Sequence, residues 1–215
     1  GRFSPPQTRS LKERLKFYQE YFSLVELFTQ EPSIPYFEEY EKVSRPSTKF
    51  VVRIPWSPRL EVDSVLGLIT AVSPIVESGK FFGFLVQLEQ QVHRNQQRIE
   101  HLLSISSQVI KRRLDIHIEF RHLSWHNHYV LQILKDHGIG ICNCEIPSAT
   151  FPLKAYATTE KGYIRYTGPS RWRKSEKQDG YLYTEAEIEE RIQGQITLST
   201  KVSQIAVVYG NVHMS

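Results

Sequence analysis

Long apolar runs, cysteines and glycine-rich motifs are all scarce in this 215-residue chain, and each scarcity removes a class of protein. No run approaches the roughly 20 apolar residues of a membrane span, and residues 1–10 lack the basic and apolar regions of a secretory leader. Cytoplasmic residence with no membrane partner is the expectation. Cys142 and Cys144, the only cysteines, sit two apart in the apolar run ICNC. They are too few for a disulfide scaffold or a zinc site, and buried thiols on a strand are expected. No glycine-rich fingerprint follows any apolar run, which argues against a dinucleotide site. No G-x-S-x-G elbow and no cysteine beside an evident base point to nucleophilic catalysis. No Pro/Gly/Ser-rich linker divides the chain, so one domain over residues 1–215 is expected. The net charge of +4 is mild and permits, without requiring, polyanion binding.

What is present is a strand-then-helix rhythm. The clearest strand is LDIHIEFRHLSW at residues 114–125, where Leu114, Ile116, Ile118 and Phe120 alternate with Asp115, His117, Glu119 and Arg121. Six other strands are read at residues 23–27, 49–54, 82–88, 140–144, 162–167 and 204–209. Capping boxes at Ser10/Glu13 and Thr184/Glu187 start helices, the second ahead of Ile188, Ile192 and Ile196 at helical spacing. Residues 36–43 read as a short helix, and Val62 to Val76 as one that Pro74 kinks and Gly79 ends. Ile99 to Ile110 forms another, and Val130 to His137 a further one after Ser124 as cap. Seven strands alternating with helices predict an α/β protein with a TIM-type barrel, incomplete or modified at its first strand, since a closed barrel has eight. Residues 3–6, or a homodimer partner, are expected to cover the open edge. A doubly wound open sheet is the runner-up.

If the apolar alternates face the helices, the interior receives Glu26, Arg53, Gln87, the row from Asp115 to Arg121, and Arg165. These polar groups fall near strand ends, where barrel enzymes place their chemistry. A structural ion-pair network of acids and arginines is the competing account, because buried charges require partners. A basic loop, Arg165 to Lys177, follows the sixth strand; Arg171 and Arg173 have forked donors suited to phosphate, and Trp172 or Tyr166 could stack on a base or sugar. His117, His122, His126 and His128 crowd one region, but without standard ligand spacing no metal is assigned. Glu26 and Glu119 could serve as a carboxylate pair, depending on their separation.

EFRHLSW at residues 119–125 resembles the E-F-R-H-x-S-W signature of the YecE-like family, domain of unknown function 72. FYQEYFSLVEL at 17–27 is similar to that family's helix and V-E-I-N strand, SPIVESGKFFGFLVQL at 73–88 to its G-K-L-G segment, and YIRYTG at 163–168 to Y-V-R-L-H-G. The resemblance runs from about Phe3 to Asn211 and implies an incomplete or modified TIM-type barrel without an assigned activity. Departures cluster at the mouth: Phe28-Thr29-Gln30, Ser57-Pro58, Glu89-Gln90, Thr167 and Gly210 replace the family's Asn-Ser-Thr, Thr-His, Pro-Pro, His and Asn.

The leading functional expectation is a barrel binding a phosphate-bearing ligand, nucleic acid or sugar phosphate, perhaps with hydrolysis. Glu119 would be acid or base, with Arg121 and Glu26 beside it. Gln87, Arg53, His122, Trp125, Arg165, Arg171 and Arg173 would bind the ligand. A non-catalytic paralogue with a structural network and protein contacts is the first alternative, and carboxylate-pair glycoside hydrolysis the second. The cofactor is undetermined.

Overall fold

Seven parallel strands, hydrogen-bonded in chain order, form one sheet in the computed structural model, which describes residues 10–54, 56–145, 155–167 and 183–209. They are β1 (Leu24–Leu27), β2 (Lys49–Ile54), β3 (Phe81–Leu88), β4 (Ile116–Phe120), β5 (Gly140–Cys144), β6 (Lys161–Tyr166) and β7 (Gln204–Tyr209). The sheet curls until β7 comes beside β1 without pairing to it, leaving a nearly closed barrel with one unsealed seam. The seven strands expected are the seven found. Residues 3–6, the candidate cover for the open edge, lie outside the described residues.

The helices are α1 (Leu11–Tyr18), α2 (Ile34–Val43), α3 (Val62–Ala71), α4 (Ser73–Glu77), α5 (Gln96–Ile110), α6 (His128–Asp136) and α7 (Glu185–Ser199). Both capping boxes form: Ser10 and Glu13 close on each other at α1, and Thr184 and Glu187 at α7. Pro74 does more than kink a helix. It sits in the first turn of α4, where its missing N–H is harmless, so the chain breaks into α3 and α4 at Val72. Ser124 is not the cap of α6. Asn127 accepts from Val130 N in that role, and Ser124 belongs to a 3₁₀ turn, Leu123–Trp125.

Alternation along the strands separates the barrel interior from an outer layer, which is itself split in two, with Ala155, Ile164, Tyr166 and Leu198 forming the smaller part. Phe50, Val52 and Ile54 of β2, Phe84, Val86 and Leu88 of β3, and Ile116, Ile118 and Phe120 of β4 face α2 to α6. Each such side chain contributes about 1.5–3 kcal/mol by leaving water, so this outer layer sets the register of the strands. Val51, Phe82, Leu85, Cys142, Tyr163 and Ala206 fill the barrel interior. Both cysteines are buried and free, as expected, and burial first, then Glu119, pushes the Cys142 thiol well above its ordinary pKa.

Candidate functional site

Because Ile116, Ile118 and Phe120 are drawn outward to the helices, His117 and Glu119 are turned into the barrel, each 1% exposed. The parallel register then sets Gln87 of β3 beside Glu119, and Cys142 of β5 on its other side. Gln87 Nε2 donates to Glu119 Oε2 at 2.7 Å, and Arg121 Nε, one residue beyond β4, donates to Glu119 Oε1 at 2.8 Å. Both oxygens of this carboxylate are engaged. Arg165 Nε lies 3.6 Å from Glu119 Oε2, too far for a hydrogen bond, and is a buried donor with no partner among the described residues.

The second carboxylate, Glu26, comes from β1 with its side chain 5% exposed. It accepts from the Tyr163 hydroxyl at 2.9 Å and from Arg165 Nη1. Burial alone would push its pKa up, but the Arg165 guanidinium, the Tyr163 hydroxyl and Arg53 outweigh burial and hold it below the ordinary carboxylate value. Arg165 thus joins both acids, and those acids together with the Tyr163 oxygen raise its own pKa in spite of burial. Arg53 of β2 donates through Nη2 to Gln87 Oε1, and its guanidinium carbon lies 5.0 Å from the centre of the Phe28 ring. Among the described residues no carboxylate oxygen lies within 4.0 Å of Arg53. Glu26, Arg53, Gln87, Glu119, Arg121 and Arg165 therefore form one connected set at the carboxyl ends of the strands.

The remaining expected residues divide. His122 and Trp125 stay outside this set because the strand alternation stops at Phe120. Trp125 is 1% exposed, stacks on Phe120 at 4.6 Å and donates from Nε1 to Val92 O at 2.8 Å. His122 Nδ1 is paired with Ser124, and its ring lies 3.8 Å from that of His93. Arg94 N donates to Ser124 Oγ at 2.8 Å, and Arg121 Nη1 meets Glu89 Oε2 at 3.2 Å. The E-F-R-H-L-S-W run thus locks the segment after β3 to the segment after β4, forming one wall of the mouth. Arg171 and Arg173 lie outside the described residues.

Asp115 and His117 sit at the opposite, amino-terminal end of the barrel. Asp115 pairs with Lys161 Nζ at 2.7 Å, and the His117 ring packs between Phe82 and Tyr163, 5.8 and 5.5 Å away. Burial holds the His117 imidazole below its ordinary pKa. Among the described residues no cluster of three or more His, Cys, Asp or Glu could hold a metal ion. None of their helices is long and apolar enough to cross a membrane. Tyr163, which binds Glu26, was legible only as an inward position two residues before Arg165.

The chain matches the family model described as protein of unknown function DUF72 over residues 1–213. Its fold is similar to that of a DUF72 family protein from Thermotoga maritima MSB8, with TM-score 0.81 and 24% identity, covering 95% of this chain and 84% of that one. It is also similar to a DUF72 family protein from Enterococcus faecalis V583, with TM-score 0.79 and 22% identity, covering 95% and 88%. No curated protein matches. The match across nearly the whole sequence, on the barrel that carries the EFRHLSW strand, places this chain in the DUF72, or YecE-like, family.

Proposed function

We propose that the mouth of the barrel binds a phosphate-bearing ligand, with Arg53, Arg121 and Arg165 supplying the charge that receives it. The observation that carries this reading is the position of Arg53. Three guanidinium groups meet two interior carboxylates, and the third carboxylate, Glu89, lies at the rim, 55% exposed and paired with Arg121. Arg53 has neutral Gln87 and the face of Phe28 as its neighbours. A half-buried guanidinium with no carboxylate in ion-pair contact among the described residues, its nearest charge being the field of Glu26, leaves room for an incoming anion, and its forked donors suit phosphate oxygens. Arg171 and Arg173 enter this proposal from the sequence alone, as further phosphate contacts.

Nucleic acid and sugar phosphate are the two ligand classes that fit. Glu119 is the group proposed as general acid or base if hydrolysis accompanies binding, and Glu26, kept ionised, orients the site. A carboxyl held below its ordinary pKa stays ionised, which suits holding charge or a nucleophile's part and not the acid of a glycosidase pair. Titration calorimetry with a sugar phosphate and a short oligonucleotide, at low and high salt, tests the reading. Affinity should fall steeply with salt; equal affinity at both salt levels, or no binding at low salt, contradicts it. Glu119, with both oxygens already engaged, favours a second reading in which the network is structural and the chain non-catalytic. Binding of neither ligand class, together with a large stability loss in Glu119→Gln, would select that reading.

A further inference from the structure

The helix α7 carries its apolar residues on the wrong side for a barrel helix. Its length equals that of α5, which turns Ile99, Leu102, Ile105 and Val109 inward and buries them. In α7 the one buried residue is Leu198, while Ile188, Ile192 and Ile196 are 39%, 40% and 50% exposed. These three repeat at every fourth position and so share one stripe, whereas Gly194 and Leu198 face the sheet, a Cβ at Gly194 lying 3.9 Å from the Tyr166 hydroxyl. Tyr209, held by Gln195 Nε2 at 3.2 Å, adds a 40% exposed ring at the end of β7.

We propose that this stripe is a self-association surface on which two copies of the chain pack their α7 helices antiparallel about a two-fold axis at Ile192. The stripe is symmetric about that residue, so Ile192 meets its own copy and Ile188 meets Ile196, the self-complementarity that an isologous contact requires. The charges choose the direction. Glu185, Glu187, Glu189, Glu190 and Arg191 all lie in the first half of α7, and residues 192–200 carry no charge. A parallel pair would set the acids against each other; an antiparallel pair sets them against the uncharged half of the other copy, where they meet only the partial negative charge of a helix end, and runs the two helix dipoles in opposite directions. One helix pair buries less than the roughly 1,000 Å² of a stable interface, so the dimer is weak and reversible.

Analytical ultracentrifugation of the full chain up to about 1 mM should show mass rising toward twice the monomer. Ile192→Glu should weaken association about tenfold or more while leaving the thermal unfolding curve in place, since the side chain is outward. Oxidation gives the geometric arm. Ile192→Cys should cross-link to itself, and Ile188→Cys should cross-link to Ile196→Cys in a mixture but not to itself. The wild type, with both cysteines buried, is the control. A wild type that stays monomeric throughout, unaltered association in Ile192→Glu, or self-linking of Ile188→Cys as ready as that of Ile192→Cys overturns the proposal.

Discussion

Replacing Glu119 by glutamine keeps the shape of the side chain and removes the charge on which the inner set closes. The carboxylate is 1% exposed and accepts from Gln87 Nε2 at 2.7 Å and Arg121 Nε at 2.8 Å, with Arg165 Nε at 3.6 Å. A glutamine must point its amide nitrogen at one of those two donors, and it leaves Arg121 and Arg165 without the interior charge they share. Breaking a buried pair on one side costs about 3–5 kcal/mol. For a domain of this size that corresponds to a fall in Tm of roughly 6–20 °C. Glu89→Gln is the internal control. It removes the other partner of Arg121 at a site 55% exposed, where the expected cost is below about 1 kcal/mol. Thermal unfolding by circular dichroism, with urea titration to check that the slope is unchanged, reads both variants. An unaltered or raised Tm in Glu119→Gln would refute the view that this carboxylate holds the arginines in place, and would mark it as a residue kept at a cost to stability.

Two further outcomes follow from the same geometry. Glu26 titrates below its ordinary 4.5 in the folded chain, so its stabilisation is present above that value and is lost as pH falls through the depressed one. Glu26→Gln should therefore flatten the acid limb of a Tm-against-pH profile below about 4.5 and lower Tm at pH 7; an acid limb of unchanged slope counts against it. At Gly140 an added Cβ would stand 2.3 Å from Cδ2 of His117, whose ring is already confined by Phe82 and Tyr163. Gly140→Ala should cost about 1–3 kcal/mol by overpacking, and a neutral result in denaturant titration would show that the ring can yield.

The strands were legible because residues such as Phe84, Val86 and Leu88, or Ile116, Ile118 and Phe120, must all reach one hydrophobic layer. That same demand sends Gln87 and Glu119 the other way. Period alone carried less at the ends of elements. His122 and Trp125 follow a strand whose alternation stops at Phe120, so their directions are set by the turn that Ser124 and Val92 stabilise. Pro74 could kink or restart a helix, and only packing against the sheet chooses. The stripe of Ile188, Ile192 and Ile196 shows that apolar periodicity defines a face without saying what the face meets. Tyr163 reaches Glu26 across the barrel, a contact between the second-last strand and the first that no local pattern encodes.

Arg53→Met, titrated calorimetrically with inorganic phosphate beside the wild type at low salt, goes to the centre of the proposed site. The substitution removes the guanidinium that makes no carboxylate ion pair among the described residues; it leaves Oε1 of Gln87 without its donor and takes one positive charge from the field on Glu26, at a cost of about 1–3 kcal/mol, so the barrel should remain folded. Wild-type protein should bind phosphate, with affinity falling as salt is added, and the variant should bind it roughly tenfold more weakly or worse. No phosphate uptake by the wild type, or equal affinity in the two proteins, would contradict the assignment of this mouth as an anion site.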